Sequence, residues 1–309
     1  MNLNPSTQKD LFEHKEILNQ LIKLYKNDNL PNKILLSGEK GIGKSTLAYH
    51  LINFVLSEKE EFTYDFENNK INYENKSYKL IQNKSNPNFN LIDVAEDKKS
   101  IDISQIRELI LNLNKSSFNE KKRFVLIDNI ELLNISSINA LLKVLEEPNE
   151  NINFILINNN KRVLPTLKSR CLNFKVFLTK DQSVKIINQL IKQDINNVVN
   201  KELFDNYVTP GKLFKIIQLS QEYELDLANT DLRTILKTII KDRIYKKNKL
   251  IIEIIYSFIE LYFRNNISVK NINLLKSYHY FIKKINNTKI YNLDEEALFI
   301  EFEDKVLNE

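Results

Sequence analysis

The sequence predicts an α/β fold in which a domain with a parallel β-sheet precedes a helical remainder. Residues 33–37 are an apolar run that leads into a glycine-rich turn and then into a helix with apolar periodicity over 46–56. Two further apolar runs, at 123–127 and 153–157, are typical of buried strands of a parallel sheet. From residue 226 onward the chain has neither glycine nor proline, and its apolar residues recur at helical intervals. A length of 309 residues is large for one core, so we expect two or three domains.

The composition excludes several classes of protein. Hydrophobic residues make up 42% of the chain and charged residues 28%, which are the values of a folded globular protein. The single cysteine, Cys171, excludes a disulfide framework, and three histidines are too few for a metal cluster of cysteine and histidine. The amino terminus is polar and no long stretch lacks charge, so we expect a cytoplasmic protein with no membrane contact. The net charge of +5 permits contact with nucleic acid without requiring it.

Three of the four glycines, Gly38, Gly41 and Gly43, fall within six residues, directly after the first apolar run. Glycine lets backbone N–H groups curl around phosphate oxygens, and the following helix adds the positive end of its dipole. The segment GEKGIGKS at 38–45 therefore predicts a nucleotide phosphate-binding loop of the Walker A type, with Thr46 beside it. In such a loop Lys44 reaches the β and γ phosphates and Ser45 ligates Mg²⁺. The alternative is a chance match in a turn before a helix.

The acidic residue Asp128 ends the apolar run 123–127, where a second Mg²⁺-binding side chain of a nucleotide site is expected. Its alternative role is to cap the short segment 129–133. The next residue is Asn129, which is neutral and cannot take a proton from an attacking water. The sequence therefore predicts that this chain hydrolyses a bound nucleotide weakly if at all.

Polar residues 158–160 follow the apolar run 153–157, and Asn159 is the candidate for a side chain that senses the γ phosphate. An ordinary asparagine-rich turn is the alternative. Further along, Pro210 and Gly211 mark a boundary at the start of a helix that contains Lys212. Lys212 is a candidate phosphate contact, and an ordinary surface lysine is the alternative.

Further motifs accompany the Walker A loop and Asp128, namely Ser169-Arg170-Cys171, the run 139–148 that ends at Pro148, and the segments 86–93 and 100–109. Over residues 10–215, these motifs together resemble the AAA+ clamp-loader family, and within it the delta prime subunits of bacterial DNA polymerase III. The resemblance implies an AAA+ nucleotide-binding domain over 1–178, a small helical lid over 179–224, and an all-helical collar domain over 225–309 that holds subunits together.

The resemblance also implies a role and partners. Arg170 is expected to act in trans, as a finger that reaches ATP bound by a neighbouring subunit, whereas local chemistry alone favours a solvated surface arginine. ATP and Mg²⁺ are the implied cofactors. The implied partners are gamma/tau-like and delta-like subunits in a hetero-pentameric ring, the sliding clamp, and primed DNA reached through the assembly. The chain would belong to a DNA polymerase holoenzyme and have at most weak ATPase activity.

Three departures from the family pattern refine this expectation. Asn129 stands where motor subunits carry a glutamate. Residues 57–85 contain no cysteine, so zinc is not expected. Lys212 stands where an arginine begins the lid helix of the family. A gamma/tau-like motor ATPase is the alternative function, and it would normally keep the glutamate and the zinc cysteines. A P-loop kinase is a more distant alternative, because it would share the Walker A loop but not the Arg170 motif or the helical last third.

Overall fold

The computed structural model describes residues 4–95, 98–115, 119–146, 151–204, 208–267 and 272–308. Its backbone contacts divide the chain into two units, Met1–Leu178 and Thr179–Glu309. The three predicted domains, a nucleotide-binding domain over 1–178, a lid over 179–224 and a collar over 225–309, stay a prediction. Pro148, at the end of the run 139–148, lies outside the described residues.

One parallel sheet organises the described part of the first unit. Its strands are β1 (Lys33–Ser37), β2 (Phe89–Ile92), β3 (Arg123–Ile127), β4 (Ile152–Asn158) and β5 (Leu172–Lys175). The spatial order is β2-β3-β4-β1-β5, so β1 lies between β4 and β5. In the register of the sheet, Ser37 at the end of β1 is opposite Asn158 of β4 and Lys175 of β5. Because all the pairs are parallel, the carboxyl ends of the strands share one edge, where α/β proteins bind ligands.

Helices cover both faces of this sheet, as the apolar strand runs require. Every residue of β3 and β4 is buried, so neither face of these central strands is open to water. The helices in the described part of this unit are α1 (Lys15–Lys26), α2 (Lys44–Leu56), α3 (Lys76–Gln82), α4 (Ile103–Leu113), α5 (Ile135–Glu146) and α6 (Pro165–Lys168). On one face, alternate strand residues such as Val125 and Phe154 pack with α4 and α5 in one hydrophobic cluster. The intervening residues, including Phe124 and Ile155, are also fully buried and face the other way.

The regular structure in the described part of the second unit is helical. Its first helix begins with a capping box, in which Thr179 accepts from the backbone N–H of Gln182 and the Gln182 side chain accepts in return. Aromatic rings form a core around Phe263, which stacks on Phe281 and meets Phe302 edge-on. The helices are α7 (Lys180–Ile191), α8 (Pro210–Glu222), α9 (Leu232–Lys241), α10 (Lys249–Asn266), α11 (Ile272–Tyr291) and α12 (Glu295–Phe302), and the last is followed by a π-helical turn at Glu303–Leu307.

The prediction of an α/β fold followed by helices is therefore confirmed. Within the described ranges, none of the helices combines the length and the apolar character needed to cross a bilayer.

Candidate functional site

The loop between β1 and α2 has a backbone path that requires glycine at defined positions. Gly41 and Gly43 have φ angles of 89° and 95°, which side chains with a Cβ atom rarely adopt. A methyl group on Gly38 would overlap the carbonyl oxygen of Val176 and lie 2.7 Å from Cδ1 of Ile42. The glycine cluster in the sequence thus has a direct steric cause. The loop delivers the chain to the amino terminus of α2, where backbone N–H groups and the helix dipole favour an anion.

The ammonium group of Lys44 lies inside this loop. Its side chain is almost fully buried, with 3% exposure. Nζ donates three hydrogen bonds, to the carbonyl oxygens of Gly38 at 2.9 Å and Glu39 at 2.6 Å, and to Oδ1 of Asn159 at 2.9 Å. All three partners are uncharged oxygens. A buried cation held in this way is well suited to receive a polyphosphate, because the anion would supply the charge that the present partners lack.

The protein environment lowers the pKa of Lys44 to about 8 from the ordinary value of 10.5. Burial is the main cause, because it disfavours the charged form. The negative charges of Asp128 and Glu131 act in the opposite direction and limit the decrease. The group therefore remains mainly protonated at neutral pH, and it titrates at a pH that experiments can reach.

Ser45 and Asp128 bring two oxygen atoms together beside Lys44. The Ser45 hydroxyl donates to Oδ2 of Asp128 over 2.5 Å, and Oδ1 of Asp128 accepts from the backbone N–H of Asn129 over 2.8 Å. Burial raises the pKa of Asp128 and the nearby charge of Asp93 adds to the rise, while the bond from Ser45 opposes it. Adjacent hydroxyl and carboxylate oxygens are the ligands that Mg²⁺ prefers. These residues thus fit a bound Mg²⁺–nucleotide.

A row of side chains connects Lys44 to the end of β2. Asn159 accepts from Lys44 and donates from Nδ2 to Oδ1 of Asn129 over 2.8 Å. Asn129 in turn donates from Nδ2 to Oδ1 of Asp93 over 2.7 Å. Asn159 also donates from Nδ2 to Oε1 of Glu131 over 2.8 Å. The position after Asp128 is therefore occupied by an amide that contacts its neighbours on both sides.

Arg170 has a separate set of contacts, just after α6. Its guanidinium donates to Oε1 of Glu146 over 2.5 Å and to the backbone oxygen of Thr166 over 2.7 Å. Both contacts are at the surface, and the side chain of Arg170 is 32% exposed. An exposed ion pair of this kind contributes little to stability and can exchange partners easily. The neighbouring Cys171 is half-buried against the hydrophobic cluster, and burial raises the pKa of its thiol to about 11.

The structure thus brings most of the sequence-predicted site residues to one edge of the sheet. The residues that meet there are Gly38, Gly41, Gly43, Lys44, Ser45, Asp128 and Asn159. Thr46 is half-buried in the first turn of α2. Lys212 lies in the second unit, on α8, and its contact with a phosphate stays a prediction.

Sequence reasoning did not identify two carboxylates of this network, Asp93 and Glu131. Asp93 directly follows β2, so its position at a strand end was a signal that could have been used. Glu131 lies in the short 3-10 turn Ile130–Leu132, and no local pattern directs it toward Asn159. Its contact depends on the pairing of β3 with β4.

Comparisons with known proteins place this geometry in a family. The sequence model of the family described as "DNA polymerase III, delta subunit" matches residues 13–179. The delta' subunit of DNA polymerase III from Buchnera aphidicola subsp. Schizaphis graminum is 25% identical over 278 residues, which are 87% of this chain and 83% of that protein. The gamma subunit from the same organism is 28% identical over 195 residues. That match covers 62% of this chain but only 51%, about half, of the gamma subunit.

A solved structure shares the fold. It is a DNA polymerase III gamma subunit-related protein from Thermotoga maritima, with a TM-score of 0.51 at 19% sequence identity. The superposition covers 91% of this chain and 96% of that one, so the similarity extends beyond the sheet into the helical part.

Proposed function

Because the chain belongs to the DNA polymerase III delta-subunit family and has the α/β AAA+ fold of clamp-loader subunits, we propose that it is a delta prime-like clamp-loader subunit. In this proposal it binds ATP, hydrolyses it weakly, and supplies Arg170 to a neighbouring ATPase subunit during DNA replication. The observation that carries the proposal is the combination of an assembled phosphate site at Lys44, Ser45 and Asp128 with an amide, Asn129, where hydrolysis needs a carboxylate.

In the proposed nucleotide site, the backbone of residues 38–44 and the Lys44 ammonium hold the phosphates, while Ser45 and Asp128 hold Mg²⁺. Thr46 continues the amino terminus of α2, Asn159 borders the phosphates, and Lys212 is a further candidate contact from the second unit. Bound Mg²⁺–ATP supplies a transferable γ-phosphoryl group. The Lys44 ammonium must leave the carbonyl oxygens of Gly38 and Glu39 to meet the phosphates, so binding exchanges one set of contacts for another.

Weak hydrolysis follows from the chemistry of Asn129. A general base must accept a proton from the attacking water, and a carboxamide does not do so. The side chain of Asn129 also forms two hydrogen bonds, because it donates to Asp93 and accepts from Asn159. This chain would therefore retain bound ATP for longer than a subunit that has a carboxylate at this position.

The trans role of Arg170 is consistent with its weak local attachment. A guanidinium that leaves Glu146 could offset the charge that develops on the γ phosphate of a neighbour's ATP. The exposed pair with Glu146 would hold the side chain near the surface until a stronger anion replaces the carboxylate. The proposed partners are gamma/tau-like and delta-like subunits in a five-membered ring, the sliding clamp, and primed DNA through the assembly.

The experiment that tests this proposal is ATPase activity stimulated by sliding clamp and primed DNA in a reconstituted assembly. We expect Arg170→Ala to lower turnover by about 10³-fold at the site that it completes, because trans arginines are worth 10³–10⁵. Lys44→Ala should leave most of the turnover, because this chain contributes little hydrolysis. The matched control for Arg170→Ala is Lys168→Ala, which removes an exposed cation two residues away. The matched control for Lys44→Ala is Lys40→Ala, which removes an exposed cation from the same glycine-rich loop.

A gamma/tau-like motor ATPase is a second candidate, favoured by the similarity to the Buchnera gamma subunit. It predicts the opposite pattern. The purified chain would hydrolyse ATP alone, and Lys44→Ala would abolish that activity. Such a result would also show that Asn129 does not prevent hydrolysis.

A further inference from the structure

The side chain of Asn159 has an orientation that its partners determine. An ammonium group can only donate hydrogen bonds, so the atom that faces Lys44 Nζ at 2.9 Å must be the amide oxygen. An ionised carboxylate can only accept, so the atom that faces Oε1 of Glu131 at 2.8 Å must be the amide nitrogen. A flipped amide would place donor against donor and acceptor against acceptor. The chemistry of the neighbours therefore assigns the oxygen and the nitrogen.

The second amide hydrogen of Asn159 is also engaged. Nδ2 donates to Oδ1 of Asn129 over 2.8 Å. The orientation of Asn129 is determined in the same way, because its own Nδ2 donates to the Asp93 carboxylate over 2.7 Å. Both hydrogens of the Asn159 amide are thus directed at acceptors beside the turn after β3, and its oxygen is directed at Lys44.

Glu131 holds Asn159 at two points. Oε1 accepts from the side-chain amide over 2.8 Å, and Oε2 accepts from the backbone N–H of the same residue over 3.3 Å. The carboxylate is half-buried in the short turn after β3, where the partner strand β4 ends. This double contact ties the side-chain orientation to the backbone at the end of β4.

The oxygens of a terminal phosphate accept hydrogen bonds, so a side chain that recognises a third phosphate must donate to it. Asn159 presents an acceptor to the phosphate site instead. We propose that Glu131 is a positioning residue that holds Asn159 in this orientation, so that the site binds a nucleoside diphosphate at least as tightly as the triphosphate. This inference rests on the proposed binding of nucleotide at the loop. The fraction of sites occupied would then depend on the combined concentration of ADP and ATP, and it would depend little on whether the bound nucleotide has a γ phosphate.

The test is isothermal titration calorimetry of the full chain with Mg²⁺ and either ADP or the imido analogue of ATP, which resists hydrolysis. For the wild type we expect ADP to bind with equal or higher affinity. Glu131→Ala removes both contacts between Glu131 and Asn159. Once Lys44 has moved onto the phosphates, the amide keeps its bond to Asn129 and can turn its other hydrogen toward the third phosphate. One hydrogen bond to a charged group should raise the affinity for the triphosphate relative to ADP by about tenfold or more.

Glu131→Gln separates orientation from charge. It removes the same charge as Glu131→Ala but keeps an oxygen that accepts from Nδ2 of Asn159, so we expect the wild-type ratio of affinities. Asn160→Gly, at the exposed next residue, is the matched control for a change in the same turn and should also keep the ratio, because glycine tolerates the φ angle of 55° there. Thermal unfolding of each variant checks that the fold is retained.

Three results would overturn the inference while leaving nucleotide binding in place. These are a wild type that binds the triphosphate analogue more tightly than ADP, an unchanged ratio in Glu131→Ala, or an equal increase in Glu131→Ala and Glu131→Gln. If the wild type binds neither nucleotide, the proposed nucleotide site itself is wrong and the inference fails with it.

Discussion

The side-chain amide of Asn129 donates a hydrogen bond of 2.7 Å to the carboxylate of Asp93. Asn129→Glu would replace this donor with a second carboxylate in a half-buried position, where like charges repel and each needs a donor. We expect the free energy of unfolding to fall by about 1–3 kcal/mol, as measured by urea unfolding at pH 8. Asn129→Gln keeps the amide and is the control. Equal losses in the two variants would mean that charge at this position is not the cause.

Replacement of a glycine by alanine should have different effects on stability at Gly38 and Gly43 in the loop and at Gly211 in α8. Gly38→Ala forces a Cβ atom onto the carbonyl oxygen of Val176, and we expect a loss of about 2–3 kcal/mol in the free energy of unfolding. Gly43→Ala has room, since its Cβ would lie 3.5 Å from the ring of His14, but its φ of 95° should cost about 1–2 kcal/mol. Gly211→Ala lies in a helix and should be neutral or slightly stabilising. Chemical denaturation of the three variants checks this order, and a smaller loss for Gly38→Ala than for Gly43→Ala would contradict it.

Nucleotide binding should depend on pH through Lys44. The free site has a Lys44 pKa of about 8, and bound phosphates would raise that pKa because they stabilise the ammonium. Affinity is then highest below pH 8 and falls as the pH rises above it, by up to about tenfold per pH unit. Calorimetric titration with ADP between pH 7 and 9.5 measures the slope. Lys44→Met should bind more weakly and show no such decrease, whereas a parallel decrease in this variant would assign the titration to another group.

The second unit should lose stability in acid through Glu301. Lys284 and Lys305 donate hydrogen bonds to this carboxylate, with Tyr280 as a third donor, and they lower the pKa of Glu301 to about 2 from 4.5. Because the pKa is lower in the folded state, the stabilisation is complete above pH 4.5 and is lost as the pH falls toward 2. Glu301→Gln should therefore reduce the free energy of unfolding by about 1–2 kcal/mol at pH 7, after allowance for solvent screening, and by roughly half as much or less at pH 3.

Asp304→Asn is the control for that comparison, since it removes an exposed carboxylate three residues further on. Urea unfolding followed by far-UV circular dichroism gives both values. A difference between Glu301→Gln and wild type that does not change with pH would rule out the ion pairs as its source.

Local sequence was sufficient for the parts of the site that depend on one strand and its following turn. The loop at 38–45 and the strand end at Asp128 could be predicted because glycine sterics and apolar runs are local properties. The 2.5 Å contact between Ser45 and Asp128 then follows from parallel strands that end at one edge.

The contacts of Asp93, Glu131 and Glu146 could not be predicted in the same way. They depend on the order of strands β2-β3-β4-β1-β5, which brings residues more than 20 positions apart into hydrogen-bond range. The distance between Glu131 and Asn159 along the chain is 28 residues, and no periodicity encodes it. The order of the strands determines which polar side chains meet at the ends of the strands, and that order is a property of the whole domain.

The single thiol has a practical consequence for following the movement of this chain. Cys171 is half-buried, and its raised pKa of about 11 leaves very little thiolate at neutral pH, so maleimide dyes should react with it slowly. A cysteine introduced at an exposed position, such as Phe177→Cys, would be labelled first, because the side chain of Phe177 is 74% exposed. Fluorophores could thus be attached for energy-transfer measurements without first removing the natural cysteine next to Arg170.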